Sequence, residues 1–181
     1  MTNRAYNFNA GPAALPLSVL QTAAEQMTNF EGTGMSVMEM SHRSENYERL
    51  NNETQALFRS LFGIPNGYKV LFLQGGASTQ FAMVPMNLLP AGKTAAYVVH
   101  GAWSTKAYKE AKLFGDAAVV ASSKETGFKS VPDLSGLKLP DNAAYLHVTS
   151  NETIEGVQFD AFPDAGGVPL IADMSSDILS R

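Results

Sequence analysis

The chain has 181 residues, and its thirteen basic and seventeen acidic residues give a net charge of −4 without a basic block, which argues against a nucleic-acid surface. Hydrophobic residues at 45% are typical of a globular protein with one sizeable core, and the absence of cysteine excludes disulfides, thiolate metal sites and cysteine nucleophiles. No apolar run is long enough for a signal peptide or a membrane span, so we expect a cytoplasmic protein without membrane partners.

Two helices are predicted near the start of the chain. An irregular lead-in over residues 1–15 ends before Pro16, which suits a first helical position, and apolar residues at helical spacing continue to about Asn29. Ser44 can cap a second helix, which Gly63 stops.

Five short apolar runs have the length of buried strands. They cover residues 69–73, 95–99, 117–121, 143–148 and 169–172. Helices or long connectors separate these runs, so we expect an α/β fold with a mainly parallel sheet and helices on both faces. Residues 122–142 are rich in Ser, Gly, Pro and Lys and are expected to form a connector that can hold one short helical turn.

Gly75 and Gly76 follow the first of these runs, and the functional interpretation begins with them. Glycines let the backbone turn sharply and approach a ligand, and Ser78 or Thr79 can cap the helix that follows. The free N–H groups and positive dipole end of that helix would hold a phosphate. An ordinary turn between a strand and a helix is the alternative for a lone pair of glycines.

Three other residues with distinctive chemistry also follow predicted strands. Trp103 is the only tryptophan and comes just past a strand, although core positions are commoner for tryptophan. Thr153 lies in a polar turn, and Asp173 directly follows an apolar run. A partly desolvated carboxylate there needs a cationic or protonated partner, or it can bond nearby backbone N–H groups. Because ligands bind outside the carboxyl ends of strands in such sheets, we expect these residues to converge with Gly75-Gly76 on one crevice.

Together these groups would bind a phosphate, a flat ring, a ring hydroxyl and a ring nitrogen, which is the set that pyridoxal phosphate presents. Its phosphate would enter the helix N-terminus, its ring would stack on Trp103, and Asp173 would keep the ring nitrogen protonated. A dinucleotide site would need the pattern G-x-G-x-x-G after the first strand, which Gly75-Gly-Ala-Ser78 does not supply. The three histidines lack the spacing of metal ligands.

Several motifs make the chain resemble the phosphoserine aminotransferase family. They are FNAGPA (8–13), SVMEMSHR (36–43), KVLFLQGGASTQF (69–81), NETIEG (151–156) and ADMSSDILSR (172–181). Members of this family are fold-type-I homodimers that depend on pyridoxal phosphate. The resemblance implies transfer of an amino group from glutamate to 3-phosphohydroxypyruvate in serine synthesis, giving phosphoserine and 2-oxoglutarate.

The resemblance also assigns roles to particular residues. The cofactor residues that it implies are Gly76, Ala77, Ser78, Trp103, Thr153 and Asp173. The first three hold the phosphate, and Trp103 stacks on the ring. Thr153 forms a hydrogen bond on the side of the ring that carries the phenolic oxygen, and Asp173 pairs with the ring nitrogen.

His42 and Arg43, just before the second predicted helix, are the substrate residues that the resemblance implies. A cation pair in such a place is often a solvated patch. By resemblance, Arg43 binds a carboxylate of glutamate through its planar guanidinium group, and both side chains contact the substrate phosphate.

The family forms its Schiff base with a lysine on the strand after Asp173, and the sequence reaches Arg181 before such a lysine. We therefore expect residues 16–181 to be a partial cofactor-binding large domain without the small carboxyl-terminal domain, and the chain alone to be inactive. We also expect self-association, as a homodimer or otherwise. The alternative is a self-contained, non-catalytic module that binds a phosphate ligand.

Overall fold

The computed structural model describes residues 4–180 and divides the chain after Leu73. The first unit is Met1–Leu73 and the second is Gln74–Arg181. The expected division into a lead-in over 1–15 and a partial large domain over 16–181 stays a prediction.

Both predicted helices of the first unit are present. Helix α1 spans Leu17–Gln26, and helix α2 spans Glu45–Phe62. The hydroxyl of Ser44 accepts a hydrogen bond from the Tyr47 N–H at 3.4 Å, and Gly63 ends α2 in the left-handed region at φ 58°. Short 3₁₀ turns at Phe30–Gly32 and Val37–Glu39 lie between the helices.

The strand predicted at residues 69–73 is absent, so this prediction is wrong for the chain as described. These residues belong to neither sheet, and the side chains of Leu71 and Leu73 are 69% and 55% exposed. A strand forms only where a neighbouring strand satisfies its backbone N–H and C=O groups. Residues 69–73 have no such neighbour among residues 4–180.

The second unit is built on a four-stranded parallel sheet. In chain order its elements are α3 (Gly76–Leu88), β1 (Thr94–Val99), α4 (Ala102–Ala111), β2 (Asp116–Ser122), β3 (Ala143–Thr149), β4 (Asn151–Glu152), β5 (Val157–Gln158) and β6 (Leu170–Asp173). The sheet order is β2-β1-β3-β6, and β4 pairs with β5 in a separate antiparallel hairpin. The other four predicted strands are thus confirmed to within one residue at either end.

The two helices of this unit pack on one face of the sheet. Phe81 of α3 and Ala107 of α4 join a buried cluster with Tyr97 and Tyr145. The opposite face packs against irregular chain that includes the partly buried Leu134, Leu137 and Leu139 and the buried Phe159 and Ala165. The predicted α/β fold with a mainly parallel sheet is confirmed. The connector over residues 122–142 forms one short 3₁₀ turn, Lys124–Thr126, as predicted, and prolines at 132 and 140 and a glycine at 136 keep it from forming a longer helix.

The strand order places the topological switch point of the sheet between β1 and β3. The chain leaves β1 for β2 on one side and leaves β3 for β6 on the other, so the direction of winding reverses between the two central strands. At such a point the connections diverge and leave an opening beyond the carboxyl ends of the strands. Among the helices of residues 4–180, none is long and apolar enough to cross a membrane.

Candidate functional site

The glycine pair forms the start of α3. Gly75 is the N-cap at φ 96°, and a Cβ there would lie 2.3 Å from Thr79 Oγ1, so only glycine fits. The predicted cap by Ser78 or Thr79 is wrong: the helix begins at Gly76, and Thr79 Oγ1 instead donates to the Gly75 carbonyl at 2.8 Å. Because no side chain caps this end, the first N–H groups of α3 remain available to an anion.

Trp103 lies in the first turn of α4 rather than in a loop, and it is 36% exposed. Its backbone N–H donates to Glu152 Oε2 at 2.8 Å, and the Ser104 N–H donates to Glu152 Oε1 at 2.8 Å. Glu155 Oε1 accepts from the Ala102 N–H at 3.0 Å. The carboxylates of Glu152 in β4 and of Glu155 in the turn that follows therefore cap this helix.

Glu152 fixes Trp103 from a fully buried position. It approaches Gly101 so closely that a Cβ on this glycine would lie 2.4 Å from Glu152 Cδ. Negative charge at the N-terminus of a helix is stabilised by the dipole and by the free N–H groups. Sequence reasoning missed Glu152 and Glu155, although two acidic residues in the turn after a strand were a usable signal.

Thr153 is held by a serine from the end of the chain. Its Oγ1 donates to Ser176 Oγ at 2.8 Å, and Asn151 Nδ2 donates to the same oxygen at 2.8 Å. The loop after β3 is thereby tied to the loop after β6. Because Glu152 lies between Asn151 and Thr153, the same short segment positions both Trp103 and Thr153.

Asp173 is the last residue of β6 and is partly buried. Its Oδ1 accepts hydrogen bonds from the Ser175 N–H at 3.1 Å and from Ser175 Oγ at 2.5 Å. Asp173 therefore forms the local hydrogen bonds that the sequence also allows, in addition to any role in binding a ligand. Both bonds go to Oδ1, so Oδ2 has no hydrogen-bond donor among residues 4–180. The carboxylate can therefore take a further donor while staying oriented by Ser175.

Two buried histidines lie near the carboxyl ends of β1 and β3. His147 stacks on Tyr97 with ring centroids 4.8 Å apart, and burial lowers its pKa to about 4 against an opposing effect of Asp173. His100 packs edge-on against Phe159 at 4.9 Å, and burial lowers its pKa to about 4 as well. Both imidazoles are neutral at pH 7, so they support the site as uncharged packing groups.

Ser78 and Trp103 are joined by a lysine that sequence reasoning did not single out. Lys106 Nζ donates to Ser78 Oγ at 2.8 Å and lies 5.8 Å from the centroid of the Trp103 ring. No sequence signal marks this contact, because it depends on how α3 packs beside α4.

The contacts connect the sequence-predicted residues of the second unit along the carboxyl edge of the sheet. Ser78 is linked through Lys106 to Trp103, and Trp103 is linked through Glu152 to the loop that carries Thr153. The Ser150 N–H donates to the Asp173 carbonyl at 2.9 Å and joins the ends of β3 and β6.

His42 and Arg43 lie in the first unit, where both are exposed. The Arg43 N–H donates to Ser41 Oγ at 3.2 Å in the turn before α2. Their part in the site stays a prediction.

The chain is similar to aminotransferases over its whole length. The profile of the aminotransferase class-V family matches residues 5–181. The phosphoserine aminotransferase of Niallia circulans is 64% identical over 181 residues, which cover 100% of this chain and 50% of that protein.

Solved structures agree with this match. A phosphoserine aminotransferase from Bacillus circulans subsp. alkalophilus has a TM-score of 0.95 at 64% identity, over 98% of this chain and 49% of that one. A phosphoserine aminotransferase from Trichomonas vaginalis, solved with bound PLP, has a TM-score of 0.89 at 41% identity, over 98% of this chain and 50% of that one. The present chain thus spans about half the length of the curated relatives it matches. The resemblance predicted from the motifs is confirmed, and the chain belongs to the aminotransferase class-V family.

Proposed function

We propose that the chain is the cofactor-binding part of a phosphoserine aminotransferase that uses pyridoxal phosphate. The observation that carries this proposal is the line of contacts from Ser78 through Trp103 to the Thr153 loop at the strand ends. Relatives of that name at 54–64% identity support the reaction, which transfers the amino group of glutamate to 3-phosphohydroxypyruvate.

The residues present fit the cofactor. The uncapped start of α3 at Gly76, Ala77 and Ser78 offers N–H groups to a phosphate. Trp103 exposes part of its ring, and Asp173 Oδ2 is left for a protonated ring nitrogen. When bound, pyridoxal phosphate supplies an electron sink for the transfer of the amino group.

The chain's own residues then have three tasks. The start of α3 holds the phosphate and so fixes one end of the ligand. Trp103 sets the plane of the ring, and the Glu152 carboxylate keeps Trp103 in place through its backbone. Asp173 holds a proton at the ring nitrogen, with its carboxylate oriented by Ser175.

Substrate binding is proposed for His42 and Arg43. Arg43 would take a carboxylate of glutamate in a bidentate pair, because a guanidinium matches the geometry of two carboxylate oxygens. His42 together with Arg43 would meet the phosphate of the second substrate. We further propose a cytoplasmic homodimer in which residues 16–181 belong to the large domain.

The test is a chimera that joins residues 1–181 to the remaining half of the Niallia circulans relative. We expect no formation of 2-oxoglutarate from glutamate and 3-phosphohydroxypyruvate by the chain alone and steady turnover by the chimera. In the chimera, Asp173→Ala should lower turnover by about 10²-fold or more, the loss typical when an electrostatic partner of the reacting group is removed.

Asp164→Ala is the matched control, because Asp164 also accepts a backbone N–H two residues further on, from Gly166 at 2.9 Å, but lies before β6. It should leave turnover unchanged. Turnover by the isolated chain would contradict the proposal. A folded chimera that binds the cofactor but does not transfer the amino group would favour a module that only binds a phosphate ligand.

A further inference from the structure

Lys106 contacts two residues of the proposed pocket at once. It lies one turn after Trp103 in α4, its Nζ is 2.8 Å from Ser78 Oγ, and the Trp103 ring centroid is 5.8 Å away. These contacts bring a positive charge to the side of the uncapped start of α3.

The charge of Lys106 has no carboxylate partner within residues 4–180. Both ion pairs in this part of the chain are made by Arg49, with Glu31 and Glu53. The partners of Lys106 are a neutral hydroxyl and the face of an aromatic ring, so its ammonium group can pair with an anionic ligand.

The hydrogen bond between Lys106 and Ser78 also has a direction. An ammonium group donates and cannot accept, so Ser78 Oγ must be the acceptor. The hydroxyl hydrogen of Ser78 is therefore left to donate elsewhere, and residues 4–180 provide no acceptor for it. Lys106 thus presents Ser78 as a donor to an anion.

We propose that Lys106 is a binding residue for the phosphate of the cofactor, acting both through its charge and by directing the Ser78 hydroxyl. This inference rests on the proposed function, since it concerns the same pocket. A phosphate oxygen that accepts from Ser78 Oγ at ordinary length would lie within about 6 Å of Nζ before any movement of the lysine. A side chain with four methylene groups closes that distance by rotation.

The test compares two ligands that differ in the phosphate alone, pyridoxine 5′-phosphate and pyridoxine. Neither has the aldehyde, so neither can react covalently with a lysine. Binding to the 181-residue chain is measured by calorimetry, because Lys106 lies close enough to Trp103 to change its fluorescence directly. We expect Lys106→Met to weaken binding of pyridoxine 5′-phosphate about threefold to tenfold, the range for an exposed charge pair that includes a hydrogen bond.

Lys112→Met is the matched control, because Lys112 is the C-cap residue of the same helix and its Nζ lies 5.7 Å from the centroid of the Tyr108 ring, yet it does not contact Ser78. It should leave binding of both ligands unchanged, and Lys106→Arg should restore most of the affinity. Circular dichroism confirms that the variants fold. The effect of Lys106→Met should shrink near 1 M salt, where charges are screened beyond about 3 Å.

Two outcomes would overturn the assignment while leaving the proposed function intact. One is an equal effect of Lys106→Met and Lys112→Met on the phosphorylated ligand. The other is an equal loss for pyridoxine and its phosphate, which would place the effect of Lys106 on the ring through Trp103. If the unmodified chain binds neither ligand, the proposed pocket itself is wrong and the assignment of Lys106 falls with it.

Discussion

In the second unit, residues 95–99 of β1 are all buried, whereas in the described part of the first unit only Phe30 and Ser36 reach comparable burial. Helix α2 is capped at both ends, yet Leu57 and Leu61 on it are 63% and 70% exposed. Local signals are therefore sufficient to form the helix, and they do not decide whether its apolar side is covered. Burial requires a partner surface, which the sheet provides within the second unit.

The apolar surface of the first unit bears on the proposed assembly. Leu17, Val19, Leu71 and Phe72 are all more than a third exposed. Exposed apolar side chains in such numbers are typical of interaction surfaces or association hazards. The pattern supports the proposed homodimer, in which a second copy would cover part of it.

The largest expected difference between the units is in the cost of truncating a leucine. Leu146→Ala removes a fully buried side chain from β3 and should lower the free energy of unfolding by about 2–5 kcal/mol. Leu61→Ala, on the exposed side of α2, should change it by less than about 0.5 kcal/mol. Denaturant unfolding followed by fluorescence of Trp103 measures the second unit specifically, because Trp103 is the only tryptophan.

Far-ultraviolet circular dichroism, which also records α1 and α2, serves as the second probe. We expect the helical signal to begin falling at lower denaturant than the fluorescence. Coincident transitions together with equal effects of the two substitutions would show that the units are stabilised as one.

A smaller effect should follow from the two buried histidines of the second unit. The pKa values of His100 and His147 are about 4 in the folded chain, below the value of about 6.5 in an unfolded one. A base with a lowered pKa binds fewer protons when folded, so its contribution is present above pH 6.5 and is lost as the pH falls toward 4. At pH 5 the loss should be about 2 kcal/mol for each histidine.

The measurement is the unfolding midpoint from Trp103 fluorescence at pH 7 and pH 5, repeated for His147→Gln. This variant should show a weaker dependence on pH in that interval, although its stability at pH 7 is lower. His42→Gln, in the exposed turn of the first unit, is the control and should leave the dependence unchanged. An unaltered slope in His147→Gln would contradict the assignment of the effect to this buried ring.

The smallest of the three effects concerns the cap on α4. Glu152→Gln keeps the size of the side chain but removes the charge that accepts from the Trp103 and Ser104 N–H groups, so we expect a loss of about 1–2 kcal/mol. The emission of Trp103 should shift to longer wavelength as the first turn of α4 loosens. Glu110→Gln, further along the same helix, is the control, and an unchanged emission maximum in Glu152→Gln would argue against this positioning role.

Much of this architecture follows from the sequence alone. Ser44 and Gly63 bound α2 because a hydroxyl at the N-cap and a left-handed glycine at the C-cap act locally. The runs at 95–99, 117–121, 143–148 and 169–172 became strands because apolar runs of that length can be buried only inside a sheet. Trp103, Thr153 and Asp173 were located at strand ends because parallel strands place their carboxyl ends together.

Tertiary structure decided what depends on partners distant in the sequence. Glu152 caps α4 across 49 residues, and Lys106 reaches Ser78 across 28, so neither contact has a local pattern. Residues 69–73 are as apolar as the other runs, yet they form no strand, because a strand needs a neighbour for its backbone hydrogen bonds. Local sequence thus specified the helices, the strands and the strand ends at which the functional side chains lie. Packing of α3, α4 and the segment after β3 determined which of these side chains contact one another.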